Sequence, residues 1–276
     1  MKYLFIAFTA LLFSLNSYAQ SSCCTLNTGN ANAMLAMNED FAKQHAEPLA
    51  FKLEKPLGEL IEMPAKDGKN AKAYFIRSKK KSNKYIFVFH EWWGLNDHIK
   101  RESEHLYNSF KNVNVIAIDL YDGGVAATRE EAQKLAGGLE DARARAIIKA
   151  AFDYAGTNAE VATYGFCMGG AWSLQAALIG GNNVDACVMY YGMPEMDVEK
   201  LKTLQTDVLG IFAEKDNHIN VETVKNFEAK MKEAGKDIVV YNYVAEHAFA
   251  NPSNPQYNAE ATKDAFIKAS AYLSKR

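Results

Sequence analysis

Between residues 58 and 274 the chain alternates short apolar runs with longer stretches of helical periodicity, and this alternation constrains its fold more than any other feature. The runs are GELIEM (58–63), KAYFIRS (72–78), YIFVFHE (85–91), VNVIAIDLY (113–121), EVATYGF (160–166), DACVMYYG (185–192), DVLGIFAEKD (207–216) and IVVYNYVAEH (238–247). Helix-like stretches fall at 98–111, 128–155, 168–180, 220–234 and 258–274. Several runs are continuously apolar, as strands are when a sheet is covered on both faces, and alternation with helices argues for parallel pairing. The pattern predicts one α/β domain over residues 51–276, with a mostly parallel central sheet and helices on both faces. With 276 residues, 49% of them hydrophobic, the chain can bury such a core without dividing it. A further helix-like stretch at 31–45, followed by Pro48 and Pro56, is assigned to an N-terminal tail and helix over residues 20–50.

The first residues, MKYLFIAFTALLFSLNSYAQ, place Lys2 before an apolar run and Ser17-Tyr18-Ala19 after it. This is the pattern of a cleaved signal peptide over residues 1–19, and predicts export to the periplasm or beyond. The run from Leu4 to Leu15 is 12 residues, against about 20 needed to cross hydrocarbon, so no stable membrane insertion is expected after cleavage. A lipid anchor on Cys23 is the rival reading, but Gln20-Ser21-Ser22 lack the aliphatic position that usually precedes such a cysteine. A net charge of -2, with no basic cluster interleaved with aromatics, argues against nucleic acid as a partner.

Four cysteines then need assigning. Cys23 and Cys24 are adjacent in a polar stretch, without the spacing of a metal site. Cys187 lies within an apolar run and reads as a small buried hydrophobe. Cys167 is different, because it ends a strand in GFCMGG and a helix follows it. Ligands of parallel sheets gather beyond the carboxyl ends of the strands. Gly165 and Gly169 on either side make room for a sharp turn, so the segment is a G-x-S-x-G nucleophile elbow with cysteine in the serine position. The helix start at Met168 favours the thiolate through its free N–H groups.

A nucleophile needs a base and an orienter. His247 and Asp216 end two later runs, and the chain order nucleophile, Asp, His is that of α/β hydrolases. Among the other histidines, His45 and His105 fall inside helix-like stretches and His98 opens one, which predicts surface or packing roles. His218 is too near Asp216 in sequence to face it as a partner. The group His90, Glu91, Asp97 and His98 lacks HExxH spacing, and no metal or other cofactor is assigned. Glu91 closes a central run, and the backbone after it is where α/β hydrolases take the second oxyanion-hole N–H, so Trp92 and Met168 are the predicted donors.

Taken together, HEWWGLNDHIK, DLYDGG (119–124), GFCMGG, AEKDNHI and EHAFAN resemble the dienelactone hydrolase family of α/β hydrolases, from about residue 58 to the C-terminus. The resemblance implies the α/β-hydrolase fold and a Cys167-His247-Asp216 triad. It also implies hydrolysis of a small ester or lactone through a thioester acyl-enzyme, and a resting thiol held by Glu91. Tyr121 and Asn251 occupy the neighbourhoods that contact substrate. Family members acting on dienelactone carry basic residues there, whereas this chain has Asp122-Gly123-Gly124 and Asn251. Two further readings are a binding protein on the same fold and a hydrolase of thioesters or amides.

Overall fold

The computed structural model describes residues 34–276; the expected signal peptide, Cys23 and Cys24 lie outside them. Eight strands form one sheet: β1 (Glu59–Met63), β2 (Ala71–Ile76), β3 (Lys84–Phe89), β4 (Asn114–Asp119), β5 (Glu160–Phe166), β6 (Val184–Tyr190), β7 (Val208–Ala213) and β8 (Ile238–Tyr243). Their spatial order is β1-β2-β4-β3-β5-β6-β7-β8. The pairs β1–β2 and β2–β4 are antiparallel, and every pair from β4 through β8 is parallel. All six residues of β4 and of β7 are buried, which explains the apolar sequence of β7 and of residues 115–118 in β4, whereas the edge strand β8 has half-buried and exposed positions.

Eight α-helices of five residues or more are described: α1 (Glu39–Lys43), α2 (Asp97–Ser109), α3 (Arg129–Gly137), α4 (Asp141–Ala155), α5 (Met168–Gly180), α6 (Val198–Lys202), α7 (Val221–Glu233) and α8 (Ala259–Leu273). Most begin on a side chain that accepts an otherwise unbonded N–H, as Asn96 does from Ile99, Asn220 from Thr223 and Asn258 from Ala261. The stretch expected as one helix over 128–155 is two. Gly137 and Gly138 end α3 after a Thr128–Glu131 capping box starts it, because paired glycines hold a helix poorly. The stretch at 31–45 is also interrupted: among its described residues 34–36 are helical, 37–38 are not, and α1 starts after Asn38, whose side chain caps it. Helix α6 had no counterpart in the sequence reading.

Strand ends shift in a way that matters for the site. The runs 85–91, 207–216 and 238–247 stop as strands at Phe89, Ala213 and Tyr243. Glu91, Asp216 and His247 therefore stand on loops beyond the carboxyl ends of β3, β7 and β8, not within the strands. The chain leaves β3 for β4 on one side and later returns to β5 on the other, so β3 and β5 are adjacent at the point where the sheet order reverses. The register pairs Phe89 with Gly165, which brings the loop after β3 beside the turn after β5.

Residues 34–57 run across these loops. Arg129 Nε donates to His45 O (2.9 Å), His98 Nε2 meets Leu49 O (2.8 Å), and Leu53 N–H donates to Asp97 Oδ2 (3.0 Å). The N-terminal segment is thus bonded to the α/β core along its length. No helix among the described residues is long and apolar enough to cross a membrane.

Candidate active site

The turn after β5 places Cys167 at φ 54°, ψ −122°, a conformation costing an L residue about 1–3 kcal/mol. Close packing enforces it. A Cβ on Gly165 would lie 2.0 Å from Gly169 O, and one on Gly169 would lie 2.2 Å from Phe89 O. Both glycines are required by backbone approach, since neither has positive φ. The Cys167 N–H donates to Tyr190 O (3.0 Å), which ties the elbow to β6.

His247 Nε2 lies 3.2 Å from Cys167 Sγ, and His247 Nδ1 lies 2.5 Å from Asp216 Oδ2. The other carboxylate oxygen of Asp216 accepts the N–H groups of His218 (2.9 Å) and Ile219 (3.0 Å). His218 serves Asp216 through its backbone. Burial resists ionisation of Asp216, but the His247 charge and these hydrogen bonds outweigh it and hold the carboxyl down at about 2. Burial likewise opposes protonation of His247, yet Asp216 and Cys167 raise it well above the ordinary imidazole value.

His45 is the residue that sequence reasoning missed. Expected as a packing or surface histidine, it is 2% exposed and its Nε2 lies 3.5 Å from Cys167 Sγ. Its Nδ1 is 2.9 Å from Phe41 O, and burial, then the His247 charge, push its pKa down to about 3, so the ring is neutral. Phe41 packs edge-on against His247 and His218, and Trp92 lies against the His45 ring at 4.4 Å. The local trace of this in the sequence is the spacing of Phe41 and His45, four residues apart and so on one face of the helix-like stretch 31–45, although α1 itself ends at Lys43.

The remaining predicted residues sit around this centre. Met168 opens α5, so its N–H has no partner within the helix. Trp92 is buried on the adjoining loop. The expected contact between Glu91 and the thiol is absent. The carboxylate instead accepts Asn251 Nδ2 (2.5 Å), because Asn251 stands across the loop after His247, while the thiol faces the two imidazoles. Burial raises Glu91 to about 7, opposed by the His247 charge and the Asn251 bond. Glu91, Asn251, Tyr191, Phe166, Trp93 and Ile99 help line a cavity of about 380 Å³ beside the elbow. Tyr121 does not line it; its hydroxyl donates to Met168 Sδ (3.2 Å) and its ring packs on His90. His90 in turn links Glu91 O and the Leu120 N–H, bracing the ends of β3 and β4.

A mostly parallel sheet with a strained cysteine elbow, and a His–Asp pair on later loops, defines an α/β hydrolase. The chain belongs to the dienelactone hydrolase family, which it matches over residues 71–275. It is 29% identical over 206 residues to Protein usf of Aquifex pyrophilus, covering 71% of this chain and 88% of that protein. It is 30% identical over 133 residues to the carboxymethylenebutenolidase of Pseudomonas sp., covering 48% and 54%. Among solved structures it is similar to a dienelactone hydrolase-like promiscuous phosphotriesterase from metagenomic libraries (TM-score 0.66, 25% identity, 79% of this chain and 98% of that one). In fold it is also similar to a dienelactone hydrolase from Anabaena variabilis (TM-score 0.56, 17% identity, 80% and 99%). The protein is a hydrolase of the ester- and lactone-cleaving kind.

Proposed function

We propose that this protein is an exported hydrolase of small carboxylic esters or lactones that works through a Cys167-His247-Asp216 triad and a thioester acyl-enzyme. The observation carrying this reading is the continuous chain from Asp216 Oδ2 through both ring nitrogens of His247 to Cys167 Sγ on a strained elbow. Asp216 holds the Nδ1–H tautomer, so Nε2 is the nitrogen that exchanges a proton with the thiol. Sγ attacks the carbonyl carbon, and charge develops on the carbonyl oxygen near the Met168 and Trp92 N–H groups. His247 then protonates the departing alkoxide. Water, deprotonated by the same nitrogen, releases the acid and restores the thiol.

Export rests on the first nineteen residues, whose charge, apolar run and small residues suit a signal peptidase. Mass measurement of the protein from its native host should give a chain beginning at Gln20; a retained leader or a lipid on Cys23 would refute export as a soluble protein. The cavity beside the elbow sets Trp93, Ile99, Phe166 and Tyr191 among polar groups such as Glu91, Arg101 and Glu102, and so offers a small acyl or alcohol group both apolar and polar partners. Hydrolysis of short- and long-chain p-nitrophenyl esters, followed by rapid quench and intact mass, tests the mechanism. An adduct of one acyl group on Cys167, absent in Cys167→Ala together with the activity, is expected. Undiminished hydrolysis by that variant would end the covalent reading and leave a binding role or another nucleophile.

A further inference from the structure

Two imidazole nitrogens face one sulfur in this site. Behind His45, Nδ1 meets the Phe41 carbonyl, which can only accept, so Nδ1 carries the hydrogen and Nε2 presents a lone pair. Behind His247, the Asp216 carboxylate fixes the same tautomer. A thiol has one proton and serves one of these nitrogens. If the proton moves to His247, His45 Nε2 still faces a sulfur lone pair at 3.5 Å. In either state the site is one positive donor short, and all three residues are buried, so bulk water is a poor remedy.

We propose that His45, Cys167 and His247 form a binding site for a soft or borderline divalent cation, of which Zn²⁺ fits best, and that its occupancy reversibly closes the nucleophile. The three ligand atoms lie within 4.8 Å of one another. For Zn–S near 2.3 Å and Zn–N of 2.0–2.1 Å at tetrahedral angles, a sulfur–nitrogen edge measures about 3.5 Å. The two observed edges are 3.2 and 3.5 Å. The nitrogen–nitrogen edge, no more than 4.8 Å, must close to about 3.4 Å on binding. Thiolate and imidazole donors select zinc-like ions over calcium or magnesium, which prefer oxygen. Each imidazole already has the acceptor behind it that orients metal-ligating histidines, a carboxylate for His247 and a backbone carbonyl for His45. On binding, the thiol proton leaves to solvent and the sulfur–metal bond takes its place. The fourth tetrahedral position is left for water or an incoming ligand. Because the donors come from the N-terminal segment, the elbow and the last loop, the ion also ties that segment to the core.

The site shares Cys167 and His247 with the hydrolase reading, so its test uses a signal independent of turnover. The probe is Co²⁺, added anaerobically to the untagged, metal-stripped full chain carrying Cys23→Ser and Cys24→Ser to remove competing thiols. One equivalent should bind, with the intense visible bands of tetrahedral cobalt and a thiolate-to-cobalt charge-transfer band. Zn²⁺ should bleach both bands, and ester hydrolysis should fall with zinc occupancy and return on chelation. Cys167→Ser should lose the charge-transfer band, and His45→Ala should weaken affinity at least tenfold while circular dichroism shows it folded. X-ray absorption of zinc-loaded protein with His45 intact should count one sulfur and two imidazoles, a measurement that stands if His45→Ala misfolds. A folded protein without the charge-transfer band, a zinc shell with fewer than two imidazoles, or unchanged affinity in folded His45→Ala would overturn the site. Hydrolysis that fails in metal-free protein would instead count against the hydrolase reading and leave the cobalt spectrum untouched.

Discussion

His45 Nε2 lies 3.5 Å from Cys167 Sγ although 122 positions separate them, and this contact brings the N-terminal segment over the elbow cysteine. It also makes Phe41, one turn earlier, a cover for His247. Cys167 is only 3% exposed as a result of its surroundings, which sets up a tension between an armed elbow and limited access.

Phe41→Ala should relieve that tension. Truncating a buried Phe costs about 3–5 kcal/mol in a core, but here the loss falls on one docked segment and is expressed as local opening. Iodoacetamide should label Cys167 roughly tenfold faster or more in the variant. An unchanged rate would show that the segment is not what limits access.

Asp216→Asn should retain the fold and lose about 10³–10⁴ in kcat, since the wrong His247 tautomer then faces the thiol. With the carboxylate gone, the main influence raising His247 disappears, so protonated imidazole should give way to neutral at lower pH. Titration of the His247 ring by NMR in both proteins checks this, and coincident curves would contradict it.

Cys187 should stay silent where Cys167 reacts. Burial, partly offset by Thr163 and Ser173, pushes its thiol up to about 11, and it is fully buried. Peptide mapping after alkylation at neutral pH should find Cys187 unmodified until denaturant is added; native labelling would point to opening of β6.

Glu91 makes stability fall with rising pH. Its folded value, about 7, lies above the ordinary carboxyl value of 4.5, so the native state holds the extra proton between them. The penalty is absent below about 4.5, grows across that window, and is fully present above about 7. Glu91→Gln, which keeps the shape without the charge, should raise Tm at pH 8 by a few degrees and change it little at pH 4.5. Equal shifts at both pH values would argue that the charge carries no cost.

Two glycines separate steric need from conformational need. Gly169→Ala puts a Cβ 2.2 Å from Phe89 O and 2.5 Å from His90 O, between backbones that cannot yield, so we expect a loss above about 4 kcal/mol with activity abolished. Gly181→Ala meets nothing within 4 Å and suffers only from its positive φ, at about 1–3 kcal/mol. Thermal melts of the two variants rank the effects, and a milder Gly169→Ala would mean the elbow can relax.

Much of the fold was legible because its signals are local. Continuous apolar runs marked the buried strands, the glycine spacing around Cys167 marked the elbow, and the order Cys167, Asp216, His247 marked their relation. Strand ends were overread at 91, 216 and 247, because an apolar or mixed residue beyond a strand looks the same whether or not a neighbour remains to pair with it. Helix 128–155 was overread for a similar reason, its periodicity resuming after the break at Gly138.

The sequence by itself determined the parallel α/β layering, the strained turn and the cysteine it presents, since backbone sterics and periodic burial act within a few residues. Only the tertiary structure decided that Glu91 turns to Asn251, that Tyr121 turns from the cavity, and that His45 joins Cys167. Those choices follow from how loops at the carboxyl edge of the sheet meet one another, and from the anchoring of residues 34–57 by Arg129, His98 and Asp97. Contacts across more than a hundred residues leave no periodic mark in the chain, because the free energy that selects them comes from docking surfaces that exist only after the elements have formed.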